Sequence, residues 1–111
     1  MTDRLFIRVP VGEGAFGPGK ARLLELIEEK GSIRAAASAM KVSYRRAWLM
    51  LKDTEKVFGA PVLETRRGGA NGGGTALNRL GQGVVRHYRA LESHAAMATR
   101  GDIAALDKLR H

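Results

Sequence analysis

The chain has 111 residues, a formal charge of +8 from 19 Lys and Arg against 11 Asp and Glu, and no Cys. This length suits one small domain and is too short for a large parallel α/β sheet, because each βαβ unit takes roughly 30 residues or more. The absence of Cys excludes disulfides, thiolate metal sites and thiol catalysis.

The N-terminal segment, residues 1–19, predicts a strand followed by a connector. Apolar residues alternate over residues 5–11, which is the period of a half-buried strand, and Pro10 places its end at a sheet edge. Residues 12–19 hold four Gly and one Pro, which indicates a turn-rich connector. Residues 14–20 match the start of a phosphate-binding P-loop, but Ala21 replaces the hydroxyl residue that must follow, so we interpret the match as a turn.

A helix is predicted for residues 20–30, ended by Gly31. Its buried side is expected to carry Leu23, Leu24, Ile27 and, beside them, Leu26, and its solvent side Glu25, Glu28 and Glu29.

Two further helices follow, each opened by a serine that suits the N-cap position. Ser32 precedes a short helix with one narrow apolar face formed by Ile33, Ala36, Ala37 and Met40. Ser43 precedes a longer helix to about residue 56 with Ala47, Leu51, Thr54 and Phe58 on one side. Two short helices joined by a turn of a few residues are typical of a helix-turn-helix.

The segment after these helices predicts a wing, that is, two strands joined by a loop. Residues 62–66 form the first strand, residues 68–74 contain five Gly and form the loop, and residues 75–77 form the returning strand. Residues 20–77 are therefore expected to contain the helix-turn-helix and the wing.

Residues 78–111 predict a long helix and a tail. Asn78 suits the N-cap, and an apolar stripe close to a heptad repeat indicates a dimerisation helix. The expected dimer contacts are Leu80, Val84, Tyr88, Leu91 and Ala95. Gly101 and Asp102 are expected to interrupt the helix. The predicted fold is thus mainly α with a small β-wing, a winged helix-turn-helix with a long C-terminal dimerisation helix in one domain, residues 1–111.

The positive charge is concentrated in the middle of the chain. Residues 32–79 hold nine basic and three acidic residues, a net of +6, whereas the segments before and after carry 0 and +2. A basic excess confined to one region is typical of a nucleic-acid surface. Basic residues at the start of a helix also oppose its macrodipole, which favours an anionic partner there.

The helix that begins after Ser43 is the strongest candidate site. A recognition helix contacts base edges with its N-terminal residues, so we expect Arg45 to pair with guanine and Arg46 to contact a base or a phosphate. Tyr44 is expected to contact a thymine methyl group or a phosphate, with packing against the wing as an equal alternative. Trp48 is expected to be partly buried scaffold, with a DNA contact as the alternative. The predicted DNA-binding residues are Ser32, Arg34, Ser43, Tyr44, Arg45, Arg46, Arg66, Arg67, Asn71 and Thr75. Among them, Arg34, Arg66 and Arg67 are expected to bind phosphates.

No arrangement of residues suggests catalysis, so we expect no enzyme activity and no cofactor or metal. His87 and His94 lie about two turns apart on the long helix, too far for one ion to bridge them within that helix. Two alternatives stay open: a protein-interaction module that works with a separate sensor, and a dimer that binds a metal or oxyanion at its helix seam.

From Gly31 onward the sequence resembles the N-terminal domain of the ModE-type molybdate-responsive regulators, distant relatives of LysR-type DNA-binding domains. The residues that carry the resemblance are Gly31-Ser32-Ile33, the Ala-rich helix, Ser43-Tyr44-Arg45, Ala47-Trp48, Leu63-Glu64, the Gly-rich wing, Leu77 and Gly81. It covers about residues 20–95.

The resemblance implies a homodimeric winged-helix transcriptional regulator that binds duplex DNA at an inverted-repeat operator, in relation to molybdate genes. The family's molybdate-binding sensor domain has no room in the chain, so we expect no such domain here, and the resemblance does not imply molybdate binding by this polypeptide. Arg45 stands where the family often has Lys, which favours a bidentate base contact. No apolar run approaches a membrane span and no signal peptide is evident, so we expect a cytoplasmic, nucleoid-associated protein without a membrane partner.

Overall fold

A computed structural model describes residues 5–67 and 73–111. Its elements in chain order are β1 (Val9–Val11), β2 (Gly14–Phe16), α1 (Pro18–Lys30), α2 (Ile33–Met40), α3 (Tyr44–Phe58), β3 (Leu63–Arg66), β4 (Gly74–Leu77) and α4 (Arg79–Asp107). The strands form two antiparallel pairs, β1 with β2 and β3 with β4. The predicted fold class is confirmed: the chain is mainly helical, with a two-stranded wing after the helix-turn-helix and a long C-terminal helix.

The three predicted N-caps are present, and each satisfies a backbone donor that the helix leaves unpaired. The side-chain oxygen of Ser32 accepts a hydrogen bond from the N–H of Ala35 at 3.0 Å. Ser43 opens α3 in the same way and Asn78 opens α4. Gly31 ends α1 in the left-handed region, at φ +83°. These local signals fix where the three helices α2, α3 and α4 begin.

The N-terminal region differs from the prediction. Of the predicted strand, residues 5–11, only residues 9–11 pair with another strand. That partner is β2, which lies within the predicted connector, residues 12–19. The side chain of Phe16 in β2 is 1% exposed and packs edge-on against the rings of Phe58 and Tyr88. Burial of this aromatic ring, which the Gly-rich sequence around it does not reveal, stabilises the hairpin. Helix α1 also begins two residues earlier than predicted, with Pro18 in its first turn.

The hydrophobic core lies between α1, α2, α3 and the wing. The residues predicted on the buried side of α1, Leu23, Leu24, Leu26 and Ile27, are all buried. Of the four predicted on one side of α3, Ala47, Leu51 and Thr54 are buried and Phe58 is partly buried. Ala36 and Ala37 of α2 and Ala47 of α3 are buried and small, which lets the two helices approach closely. This packing leaves the opposite side of α3 open to solvent.

Two of the three glutamates of α1 that were expected to face water are half-buried and paired. Glu25 accepts two hydrogen bonds from the guanidinium of Arg89 in α4, at 2.6 and 3.0 Å, and Arg89 also bonds Glu92. Glu28 accepts from the wing. Only Glu29 is exposed as predicted. These pairs join α1 to elements far away in sequence, which helical periodicity cannot anticipate.

Helix α4 continues through Gly101 and Asp102, so the predicted interruption is wrong. A glycine within an exposed helix costs roughly 1 kcal/mol, which does not break a helix of 29 residues. The N-terminal half of α4 packs on the core, where Tyr88 donates a hydrogen bond to the carbonyl of Ile7 at 2.6 Å. Within the described residues, no helix has both the length and the apolar character that a membrane crossing requires.

Candidate nucleic-acid interface

The start of α3 forms an exposed basic surface. Ser43, Tyr44, Arg45 and Arg46 are all exposed, and Tyr44 retains 42% of its accessible surface. The first turn of α3 carries no acidic residue. Ala47, which follows directly, is fully buried and fixes which side of the helix faces the core. The predicted recognition residues therefore share one solvent-facing helix start with two guanidinium groups.

Arg34 of α2 joins this surface through Tyr44. Its guanidinium carbon lies 4.6 Å from the centre of the Tyr44 ring, which is the geometry of a cation–π contact. Both side chains are exposed. The structure thus brings together a residue predicted to bind phosphate and a residue predicted to contact a base, across the two helices of the helix-turn-helix.

Ser32 stands at the start of α2 and is half-buried. Its hydroxyl oxygen accepts the hydrogen bond of the cap, so its O–H proton is available for a further acceptor. The first turn of α2 also carries no acidic residue. Backbone N–H groups at a helix start favour an anion, which is the chemistry of a phosphate contact.

The wing presents two more predicted arginines. Arg66 and Arg67 are exposed, and Arg66 also donates a hydrogen bond to Glu28 at 3.0 Å. Thr75 is half-buried in β4, and its N–H donates to the carbonyl of Gly31 at 2.8 Å. Asn71, predicted at the wing tip, lies outside the described residues.

Three features near α3 were missed or differ from expectation. Trp48 is 41% exposed and Leu49 48%, so this side of α3 is more open than a scaffold role for Trp48 requires. Lys20 of α1 forms an ion pair with Asp53 of α3. Lys20 and Asp53 border a cleft of about 360 Å³, whose other lining residues are Ser43, Arg45, Arg46, Leu49 and Met50. The spacing within either helix gives no signal for this contact, because it joins residues far apart in sequence.

The predicted dimer residues divide into two groups. Leu80 and Leu91 are exposed and Ala95 is half-buried, whereas Val84 and Tyr88 retain only 8% and 5% of their surface. Tyr88 packs against Phe16 of the unpredicted hairpin, so most of its surface is covered within the protomer, and the dimer contacts of all five residues remain a prediction. All but Ala95 border an open apolar groove of about 620 Å³, between α4 and the N-terminal hairpin.

Among residues 5–67 and 73–111, no group of three or more His, Asp or Glu side chains could hold a metal ion. His87 and His94 are both exposed on α4. His87 borders the apolar groove and His94 does not. The alternative of a metal- or oxyanion-responsive dimer, with its ligand held between two copies of the chain, stays a prediction.

Two proteins that carry the name ModE are similar to this chain. The transcriptional regulator ModE of Haemophilus influenzae is 40% identical over 95 residues, which cover 83% of this chain and 37% of that protein. The molybdenum transport protein ModE of Azotobacter vinelandii is 35% identical in an alignment of 119 positions, gaps included, which spans 97% of this chain and 44% of that protein. The chain thus spans less than half the length of these relatives. No protein-family model matches the chain.

A solved structure shares the fold. The crystal structure of the CbnR DNA-binding domain in complex with DNA superposes with a TM-score of 0.58 at 24% identity, covering 78% of this chain and 95% of that chain. At this identity the likeness shows the fold alone. Together with the sequence matches it confirms the resemblance predicted from the motifs: over most of its length the chain is related to the ModE transcriptional regulators, and it has the winged-helix fold.

Proposed function

We propose that this chain binds duplex DNA and acts as a ModE-type transcriptional regulator. One observation carries the proposal: the start of α3 presents Ser43, Tyr44, Arg45 and Arg46 to solvent, with the basic wing following in the same chain. A recognition helix contacts bases with its N-terminal residues, and wing arginines suit phosphates. The name of the Haemophilus influenzae relative, a transcriptional regulator, supports a regulatory role.

In the proposed complex, α3 lies in the major groove with Arg45 at a guanine and Tyr44 beside it. Phosphate contacts by Ser32, Arg34 and the two wing arginines set the register on the duplex. Arg46 binds a base or a phosphate. The formal charge of +8 gives such binding a strong dependence on salt.

We also propose that the chain acts as a homodimer. The support is the exposed apolar surface on α4, where Leu80 and Leu91 border a groove that reaches down to the hairpin. Two recognition helices related by a two-fold axis contact major grooves about 34 Å apart or a multiple of this, so the operator is an inverted repeat. The protein acts on chromosomal DNA in the bacterial cytoplasm.

The name of the Azotobacter vinelandii relative links it to molybdenum transport. We therefore propose that the regulated genes are related to molybdate. Because the chain spans less than half of each relative, we propose that it supplies the DNA-binding part of the function.

The experiment that tests the proposal is selection of bound duplexes from a random library, with and without molybdate. The expected result is a two-fold symmetric motif with half-sites one helical turn or a multiple of it apart. Recovery of no motif, together with no binding to any duplex at low salt, would contradict the proposal. Analytical ultracentrifugation of the same protein with and without the selected duplex measures its oligomeric state.

A second candidate is a protein-interaction module that joins a separate sensor through α4. The observation that favours it is a set of apolar side chains on the distal part of α4 that remain at least two-thirds exposed, namely Met97 and Leu106, with Leu109 just beyond the helix. This candidate predicts a partner complex and no binding to duplex DNA, so the library selection distinguishes the two.

A further inference from the structure

The wing is attached to α1 along the edge of β4 that faces away from β3. The N–H of Thr75 donates to the carbonyl oxygen of Gly31 at 2.8 Å, and the N–H of Leu77 donates to the carboxylate of Glu28 at 2.8 Å. Residues two apart on a strand direct their N–H groups to the same edge. The carboxylate and the carbonyl therefore occupy the positions that a third strand would fill beside β4.

The other carboxylate oxygen of Glu28 reaches the opposite strand of the wing. It accepts a hydrogen bond from the guanidinium of Arg66 at 3.0 Å, so Glu28 contacts both β3 and β4. Arg66 is paired with Gly74 in the ladder, and this position has no side chain to cover the guanidinium. Its side chain remains 55% exposed although it is paired.

This pair stabilises the folded state little. Ion pairs at exposed positions contribute little to stability, because water and salt screen them. Its effect on the position of the Arg66 side chain matters more than its effect on stability. An arginine that extends free into solvent samples many rotamers, and it loses that conformational entropy when it binds an anion. Because Glu28 holds one N–H group of Arg66, the other N–H groups of this guanidinium are already positioned for an anion.

We infer that Glu28 is a positioning residue for the wing, which fixes β4 on α1 and holds Arg66 where it meets a phosphate of duplex DNA. The inference rests on the proposed function and assigns a role to an acidic residue that the sequence placed in solvent. Glu28 itself does not touch the DNA in this arrangement, because its two oxygens are occupied by Leu77 and Arg66.

The test compares Glu28→Gln with Glu29→Gln. Both changes remove one negative charge from adjacent positions of α1, but Glu29 is exposed and contacts only Lys30, at 3.9 Å, among the ion pairs of the described residues. A glutamine at position 28 still accepts from Leu77 and loses the ion pair with Arg66. The measurement is fluorescence anisotropy of the full chain with a labelled duplex of mixed sequence, titrated at several salt concentrations.

The expected result is a smaller salt slope for Glu28→Gln than for Glu29→Gln, by about 0.9, which corresponds to one phosphate contact. Between about 50 and 200 mM salt this difference amounts to roughly 3.5-fold in relative affinity. In an Arg66→Gln background the two glutamine variants are expected to bind equally, because the guanidinium through which Glu28 acts is gone. Equal slopes in the wild-type background, or tighter binding by Glu28→Gln than by Glu29→Gln, would overturn the inference.

Amide hydrogen exchange provides a readout that does not depend on DNA. Glu28→Ala is expected to lower the protection of the Leu77 N–H while that of Thr75, held by Gly31, changes less; Glu28→Gln is expected to retain both. Equal loss at the two amides would show general unfolding of the wing and contradict a specific role for Glu28. Absence of salt-dependent duplex binding by the unsubstituted chain would instead contradict the proposed function, so the two failures are distinguishable.

Discussion

The guanidinium of Arg34 lies 4.6 Å from the centre of the Tyr44 ring, so the first residue of α3 is held by a cation from the preceding helix. Neither side chain is buried. The contact couples a candidate phosphate ligand to a candidate base contact. Any change at one of them is therefore expected to alter binding through the other.

We expect Arg34→Gln and Tyr44→Leu to be non-additive in DNA binding. Glutamine removes the cation that lies over the ring, and leucine removes the ring. A double-mutant cycle on the dissociation constants is expected to give a coupling of about 0.5–1 kcal/mol, the range for exposed cation–π pairs. Additive free energies would show that the two side chains act independently.

Arg45→Ala is expected to relax sequence specificity at one base pair, at a cost of ~1–3 kcal/mol for the preferred base. The physical reason is the loss of the paired donors that match the acceptors of guanine. Binding to a panel of duplexes, each changed at one position of the selected operator, provides the measurement. If all duplexes weakened by the same factor, Arg45 would be a phosphate ligand instead.

Arg67→Ala is expected to lower the salt slope of DNA binding by roughly one unit, because it removes one phosphate contact. Arg100→Ala is the matched control, since it makes the same chemical change at an exposed position in the distal part of α4. The control is expected to keep the slope of the unsubstituted chain. A slope that did not change in Arg67→Ala would remove this arginine from the interface.

Helix starts could be predicted from the sequence because an N-cap hydrogen bond joins residues that are close together in the chain. Ser32, Ser43 and Asn78 each bond the third residue after them, so a short window contains the whole interaction. The exposed start of α3 follows from such a cap and from the buried Ala47 behind it. This is why the core of the candidate site could be found without a structure.

Contacts between distant segments could not be predicted. Arg89 is 64 positions from Glu25, and Arg66 is 38 positions from Glu28, so helical periodicity assigned both glutamates to solvent. The hairpin was missed because its stability comes from burial of Phe16 against Tyr88, not from strand propensity. The same burial explains why two of the predicted dimer residues are covered within the protomer.

Gly81→Ala is expected to destabilise the fold by about 1–3 kcal/mol, because a Cβ at this position would overlap the backbone carbonyl oxygen of Val62. Gly83→Ala is the matched control on the same helix, where a Cβ meets nothing within 4 Å. It is expected to raise stability by up to about 1 kcal/mol through helix propensity. Urea unfolding curves measure both. Equal midpoints for the two variants would contradict the close approach of α4 to the start of the wing.

Stability at high pH is expected to depend on Tyr88. Burial, and next the neighbouring carboxylate of Glu92, raise the pKa of Tyr88 to about 12 from an ordinary value of 10. Because the folded state holds the neutral phenol more strongly than the unfolded chain does, this contribution is fully present below pH 10 and is lost as the pH rises towards 12. The slope in this window reaches at most about 1.4 kcal/mol per pH unit.

The absorbance of tyrosinate measures this titration directly. The chain has two tyrosines, so the Tyr44→Phe variant leaves Tyr88 as the one that titrates. Tyr88 is expected to ionise near pH 12 as long as the protein stays folded. If high pH unfolds the protein first, Tyr88 is expected to ionise together with unfolding. An ionisation near pH 10 in the folded protein would mean that the phenol is not buried, and that the N-terminal segment does not pack on α4.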